Sequence, residues 1–270
     1  LRPGAPLPVD RSLHLTSLDV PDAAVDPHRI DTPATTSELV VTVSPRSFEL
    51  EGRQILPVPS DATRGFDARH KHSPTDLTLV DGAVMPLAYA RERARTFRWE
   101  LRDTAPEKLL VIADRGLPFR LLAEVLVAAR ERDFVPYLLG HRNGSLVDVG
   151  ISEIVRREWL VMVKVEPETF ELAVPDERDE FTCERGRIDE RNGSRFVTLT
   201  TSNDGRDLER LSDCAGRIEK AFRHELVFGV APAATVSVQT VVGTYDALRR
   251  IATRHVAVDL RFDALLPPRP

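Results

Sequence analysis

The chain has 270 residues, of which 42% are apolar and 29% charged, a composition typical of a globular protein with room for two domains. Its formal charge of −5 gives no electrostatic reason to bind nucleic acid, and its sequence has no basic cluster interleaved with aromatic residues. Composition therefore excludes an ordinary nucleic-acid-binding protein and predicts a globular one.

The N-terminal region differs from the rest of the chain. Residues 1–37 contain six prolines and little hydrophobic periodicity, so we predict an extended tether. Because the chain begins at Leu1 and not at Met, we expect it to be a segment excised or processed from a longer protein.

The next segment occurs twice, about 120 residues apart. In each copy an alternating apolar run is followed by a turn and a short return strand, and Phe48-Glu49-Leu50 recurs as Phe170-Glu171-Leu172. A repeat this long is typical of a duplicated domain, since solenoid repeats are much shorter.

A helical stripe follows each copy with the same spacing of 3, 4, 3 and 4 residues, which is the buried face of an amphipathic helix. The two stripes, displaced by 121 residues, are Leu87, Ala90, Ala94, Phe97, Leu101 and Leu208, Leu211, Ala215, Ile218, Phe222.

Each half then continues with a strand, a second helix and a closing strand. The strands are predicted at 109–113 and 135–139 in the first half and at 226–230 and 256–260 in the second. The predicted inner faces of the second helices are Leu121, Leu122, Val125, Ala129 and Val238, Val241, Tyr245, Leu248. Since a helix between neighbouring strands indicates a right-handed crossover, the predicted fold class is α+β. Two small tandem domains are expected, each a β-sheet with two helices on one face.

These elements predict the division of the chain into domains. The predicted segments are a proline-rich tether at 1–37, domain 1 at 38–141, a linker at 142–158, domain 2 at 159–263 and a tail at 264–270. Residues 226–245 carry no charge and imitate a membrane span, but they include Pro232 and two glycines. The repeat assigns this stretch to a strand followed by a helix.

The only two cysteines, Cys183 and Cys214, lie in a predicted strand and on the helix expected to cover its sheet. A disulfide between them would contribute about 3–4 kcal/mol in an oxidising compartment. Two separate buried thiols fit the sequence equally well.

Few residues suggest chemistry. His70 and His72, with Asp67 nearby, supply fewer ligands than a closed metal site needs, so a solvated loop is favoured and no metal or cofactor is predicted. Asp114, with Arg115, follows a strand as a catalytic acid would, but a structural turn is favoured. Dipeptides that end in glycine, such as Asp81-Gly82 and Asn143-Gly144, are predicted as turns. No phosphate-binding or hydrolase motif occurs in the sequence. We therefore predict that the protein is not an enzyme.

The second strand and helix of the first half carry a family resemblance. The run Ala113-Asp114-Arg115-Gly116-Leu117-Pro118-Phe119, followed by Leu122, Val125 and Ala128-Ala129-Arg130, resembles the periplasmic domain of the ExbD/TolR family. The resemblance covers residues 38–141 and, more loosely, 159–262, where Ala233 replaces Asp114 and Ser237 replaces Pro118. Family members normally have one transmembrane helix and one such domain, whereas this chain has two domains and lacks the helix that carries the family's proton-binding Asp.

This resemblance implies a non-enzymatic periplasmic module of a proton-motive-force-driven transport complex, anchored to the inner membrane by a helix outside this segment. Its expected partners are the membrane subunits of the motor or an energy-transducing protein, with peptidoglycan as a second candidate. Because the family works as dimers, the two copies are expected to form an internal pseudo-dimer, with homo-oligomers of the full protein also open.

Exposed edge strands are the expected partner-binding elements, since they can pair with an extended segment. The residues chosen are Val135, Tyr137, Leu139, Val256, Val258 and Leu260. Two alternatives stay open: a periplasmic or secreted glycan- or protein-binding module unrelated to motors, and an enzyme with a site between the halves.

Overall fold

The computed structural model of the chain has two compact units. The described residues are 39–73, 77–100, 107–142, 145–148, 160–174, 181–191, 194–201, 207–222, 226–252 and 256–258. The predicted tether and the predicted tail lie outside them.

The first unit is a six-stranded mixed sheet with two helices, in the spatial strand order β3-β2-β1-β4-β5-β6. Its elements are β1 (Leu39–Val43), β2 (Ser47–Leu50), β3 (Arg53–Pro57), α1 (Asp81–Glu100), β4 (Glu107–Ala113), α2 (Phe119–Arg130), β5 (Phe134–Arg142) and β6 (Ser145–Asp148). Strands β1, β4 and β5 run parallel, while β2, β3 and β6 join antiparallel.

The second unit is also a six-stranded mixed sheet with two helices, in the order β12-β11-β7-β8-β10-β9. Its elements are β7 (Leu160–Val165), β8 (Thr169–Val174), β9 (Gly186–Arg191), β10 (Ser194–Thr200), α3 (Asp207–Ala221), β11 (Val227–Pro232), α4 (Val238–Arg249) and β12 (Val256–Val258). Strands β7, β11 and β12 are parallel, and β8, β10 and β9 are antiparallel.

The two units share five strands in the same order and direction, β5-β4-β1-β2-β3 in one and β12-β11-β7-β8-β10 in the other. Both crossovers in a unit move toward the same edge, so crossovers of the usual right hand place both helices on one face. The units differ at their edges, since the first adds β6 beside β5 and the second adds β9 beside β10. The α+β class and the duplicated order of elements are thus observed.

Alternating strand residues build each core. In the first unit Val41, Val111 and Leu138 are fully buried on neighbouring parallel strands, as period-2 patterning requires. The predicted inner face of α2, namely Leu121, Leu122, Val125 and Ala129, is fully buried as well. The prediction for this helix is confirmed.

Some predicted boundaries differ from the structure. Helix α1 begins at Asp81, so Asp81-Gly82 opens a helix and is not a turn. Strand β11 ends at Pro232, two residues after the predicted end, and residues 226–245 contain a strand and a helix, as the repeat predicted. Residues 145–148 of the predicted linker form β6, because they pair with the last four residues of β5.

The second helix of each unit is buried on nearly every side, but by different elements. Helix α4 is covered by α3, and Ser212 of α3 donates from Oγ to the Ala247 carbonyl at 3.2 Å. Helix α2 is covered instead by residues 58–73, which we call the strap. The strap contains two short 3₁₀ turns, Ala62–Arg64 and Ala68–His70, and the first turn packs on α2.

Candidate functional site

The most unusual site among the described residues is a group of buried charges beneath the strap. Glu124 of α2 is completely buried, and its Oε1 accepts hydrogen bonds from Lys71 Nζ and Arg120 Nε, each at 2.6 Å. The side chain of Lys71 is 1% exposed and that of Arg120 is 11% exposed. One carboxylate therefore holds a lysine from the strap and an arginine from its own helix.

Backbone groups complete this cluster. The Phe66 N–H donates to Glu124 Oε2 at 2.8 Å, and Lys71 Nζ also donates to the Arg64 carbonyl at 2.9 Å. Both carboxylate oxygens of Glu124 thus have partners, which is what a buried charge needs to avoid a large desolvation cost. Together Glu124, Lys71 and Arg120 fix the strap against α2, and we call them the buried triad.

The geometry of the buried triad suits an anchor better than a catalyst. A general acid or base must come within hydrogen-bonding reach of a substrate. Glu124 is fully buried and already accepts three hydrogen bonds, so a substrate could not approach it without moving the strap. What the arrangement does is hold the strap in one position.

Gly65 lets the strap approach this carboxylate. Its φ of +79° lies in the left-handed region, and a Cβ added there would overlap Glu124 Oε1. We expect Gly65→Ala to destabilise the closed strap by about 1–3 kcal/mol. Alanine is strained at this positive φ, and its Cβ would push the strap away from the Glu124 carboxylate. Faster amide exchange of residues 62–71, followed by mass spectrometry, would measure this.

The matched control for that substitution is Gly82→Ala in α1, where nothing lies within 4 Å of the added Cβ. Alanine favours a helix over glycine by about 1 kcal/mol, so this variant should be neutral or slightly stabilised. Equal exchange in both variants would contradict the role given to Gly65.

The segment His70-Lys71-His72 contributes Lys71 to the buried triad. The sequence analysis considered the two histidines as metal ligands and gave no role to this lysine. His70 is half-buried and its Nε2 lies 3.1 Å from Arg69 Nε, while His72 is exposed. Within the described residues no group of three or more His, Cys, Asp or Glu side chains could hold a metal ion. Lys71, between the two histidines, enters the buried triad instead.

Asp114 lies in the turn between β4 and α2. Its Oδ1 accepts from the Gly116 N–H at 2.9 Å, and its carbonyl accepts from the Leu117 N–H at 3.2 Å. The equivalent turn of the second unit has Ala233, but there Ser237 Oγ accepts from the Thr240 N–H at 3.1 Å and caps α4. In each unit one side chain therefore accepts from a backbone N–H near this turn, Asp114 within the turn of the first unit and Ser237 at the helix N-cap of the second.

The predicted partner-binding strands are equivalent in the fold but not in register. Val111 pairs with Leu138 in the first sheet, and Val230 pairs with Val258 in the second, so Leu138 corresponds to Val258. The prediction had aligned Tyr137 with Val258. A shift of one residue moves a side chain to the other face of a strand, so Val135 and Tyr137 lie on the opposite face from that of Val256 and Val258 in the equivalent strand.

On the first sheet, the side chains of Val135 and Tyr137 on β5 are only partly covered by the described residues. Val135 is 36% exposed, and Tyr137 is half-buried against Val40, Leu110 and Ile112 with Lys108 Nζ 5.4 Å from its ring centroid. Leu139 belongs to β5 and pairs with Asp148 of β6. Only residues 139–142 of β5 pair with β6 among the described residues, so residues 134–138 pair there with β4 alone.

On the second sheet, β12 is the last strand in the part of the chain that the structure describes. Its side chains Val256 and Val258 are buried, so a partner could reach the strand only through its backbone edge. Leu260, the third residue predicted there, lies outside the described residues.

The two cysteines are joined. Cys183 lies just before β9 and Cys214 on α3, with their Cα atoms 4.8 Å apart and both side chains buried. Of the two interpretations that the sequence left open, the structure has the disulfide. It ties the start of the β9–β10 hairpin to the helix that covers α4.

Comparison with known proteins does not assign the chain to a family. No protein-family model matches the chain, and a search of curated proteins finds no significant sequence match. Among the helices of the described residues, none combines the length and the apolar character needed to cross a bilayer.

Proposed function

We propose that the chain is a non-enzymatic periplasmic module of an inner-membrane complex driven by the proton motive force, of the ExbD/TolR kind. The module would engage a partner protein by taking up an extended segment of it as an added strand of one of its sheets, or it would bind the cell wall. What supports the class is the motif from Asp114 to Arg130 together with the order of elements in both units.

The observation that carries the binding mode is the difference between the two units at one sheet edge. In the first unit β6 pairs antiparallel beside β5, whereas in the second the corresponding strand β12 ends the described sheet. The first unit thus provides an example, within this chain, of a strand added at that edge. Strand addition uses main-chain hydrogen bonds for affinity, so buried side chains on β12 do not prevent it.

Two other edges, β9 and β3, are poorer sites. Strand β9 carries Arg187, Asp189, Glu190 and Arg191, and β3 has an irregular register and ends at Pro57. Charges, prolines and bulges are common protections of edge strands against pairing. By this comparison β12 and the first half of β5 are the favoured partner sites.

The disulfide supports the proposed compartment, because disulfides persist in the periplasm and outside the cell. A secreted module that binds a glycan or protein without any motor meets the same condition and remains the alternative. The proposed internal pseudo-dimer makes a separate prediction: light scattering should give a monomer of 30.2 kDa. A stable dimer would contradict the view that one chain supplies both copies.

Site-specific photo-crosslinking tests the partner class. A photoreactive phenylalanine analogue at Val135 should form an adduct with a protein in cells that produce the chain, and the same analogue at Ile188 is the control. Ile188 is similarly exposed, at 40%, but lies on the charged β9 edge. Adducts at both positions, or at neither, would contradict the proposal.

A further inference from the structure

The strap is attached to α2 by few contacts. Between residues 58 and 73 only Gly65, Phe66 and Lys71 are buried, and the remaining residues are half-buried or exposed. Phe66 contacts Phe48, with ring centroids 5.8 Å apart, and Lys71 makes the ion pair with Glu124. The buried side-chain contacts of the strap are thus Phe66 on β2 and Lys71 on Glu124 of α2. Backbone hydrogen bonds add the Phe66 N–H on Glu124 and the pairing of residues 70–72 with residues 78–80.

The second unit indicates what the covered surface can bind. Helices α2 and α4 both have 12 residues, and Glu124 and Gly243 are each the sixth. At Gly243 the neighbour is Leu208 of α3, whose Cδ1 would lie 2.8 Å from an added Cβ, whereas at Glu124 the neighbour is Gly65 of the strap. The same side of the same helix thus receives a helix in one unit and the strap in the other.

We infer that the strap covers a helix-binding surface on α2, which becomes available when the strap detaches. The occupant is an amphipathic helix from a partner protein, packed on α2 as α3 packs on α4. Helix α1 is not the occupant, because it packs on β3 and β4, and its Asp81 and Arg91 form ion pairs with Arg132 and Asp133 just beyond α2.

The buried triad defines the chemistry of this partner. When the strap leaves, Lys71 leaves with it, and Glu124 remains on α2 with Arg120. The strap takes away two of the three donors to Glu124, the Lys71 ammonium and the Phe66 N–H, and leaves only Arg120. An incoming helix that covers this surface must replace the lost donors, and a cation replaces the lysine, because a buried carboxylate is stable only when its oxygens are satisfied. The partner helix therefore carries Lys or Arg at the position that Leu208 occupies over Gly243.

Amide exchange in Lys71→Ala tests whether the strap detaches by itself. This substitution should raise the exchange rates of residues 62–71 at least tenfold and leave β1 and β4 unchanged. Arg69→Ala is the control, because Arg69 pairs with Asp67 on the exposed side of the strap, and it should change nothing. Loss of protection in the strap and in β1 and β4 together would overturn the inference.

Two synthetic peptides test the partner chemistry. Both have the sequence of residues 207–221 with serine at the position of Cys214, and Leu208 is replaced by lysine in one and by glutamate in the other. The lysine peptide should bind the Lys71→Ala chain at least tenfold more tightly than the glutamate peptide. It should also bind that chain at least tenfold more tightly than the wild-type chain, and should protect α2.

Equal binding of the two peptides, equal binding to wild-type and Lys71→Ala chains, or protection of α4 in place of α2 would each overturn the inference. If Lys71→Ala does not fold, Phe66→Ala detaches the strap by removing its aromatic contact and allows the same comparison. None of these results depends on the proposed motor function, since the experiment uses the chain and the peptides alone.

Discussion

Loss of the Cys183–Cys214 disulfide is expected to lower the free energy of unfolding of the second unit by about 3–4 kcal/mol. The two cysteines are 31 residues apart, and closing a loop of that length in the unfolded chain accounts for a value of this size in the chain-entropy model. In a unit this small, the midpoint temperature should fall by on the order of 20 °C.

The measurement is thermal unfolding of the Cys183→Ala/Cys214→Ala variant. Amide exchange then shows which of the two units has lost stability. Because the disulfide lies within the second unit, protection of β1 and β4 should not change. Treatment with a reductant should reproduce the effect in the wild-type chain and add nothing to the variant. A loss below about 1 kcal/mol would show that the packing of α3 and the β9–β10 hairpin suffices without the bond.

The second large effect is expected at the buried triad. Glu124→Leu leaves Lys71 and Arg120 without their shared carboxylate, and removal of one partner from a buried ion pair costs about 3–5 kcal/mol. We expect the free energy needed to open the strap to fall by this amount. The strap of the variant should then be open most of the time. Native-state amide exchange at residues 62–71 measures that free energy.

Replacing the whole triad should have the opposite outcome. In Lys71→Met/Arg120→Leu/Glu124→Leu no buried charge remains, and apolar replacement of a complete buried ionic group is often neutral or stabilising by about 1–4 kcal/mol. The triple variant should thus close the strap at least as firmly as wild type. Asp61→Asn is the control, since Asp61 and Arg64 are largely exposed and their pair is worth little. A triple variant as weak as Glu124→Leu would show that the charges themselves stabilise the closed strap.

The sequence predicted the repeated scaffold well because its signals are periodic. Alternation identified β1 and β7, and helical spacing identified the buried face of α2, since both periods follow directly from backbone geometry. Register was harder to predict. The prediction aligned Tyr137 with Val258, whereas in the structure Leu138 corresponds to Val258, and this difference of one residue reverses the face of the strand.

The buried triad could not be predicted from periodicity. Arg120 and Glu124 have the i,i+4 spacing typical of an exposed helix pair, and Lys71 lies in a polar loop between two histidines. Their burial depends on where the strap lies, which is set by Phe66, Gly65 and contacts far apart in sequence. The one local signal is that α2 is rich in apolar residues on all sides of the helix, which indicates a second covering element besides the sheet.

The β6 strand was missed for a related reason. It has only four residues, and its pairing with β5 depends on the neighbouring strand more than on its own pattern. Asn143-Gly144, predicted as a turn, lies between β5 and β6 in the chain but outside the described residues. A turn dipeptide followed by Ser145–Asp148 was therefore the available signal for a hairpin.

The most direct test of the proposed function combines photo-crosslinking at Val135 with control of the proton motive force. Cells that carry the photoreactive residue would be irradiated with and without an ionophore that abolishes the proton gradient, and the adducts would be compared by mass. If the chain is a motor-driven module, the adduct to its protein partner should change at least severalfold in yield when the gradient is lost. An adduct whose yield and identity are the same in both conditions would contradict a role in energy transduction.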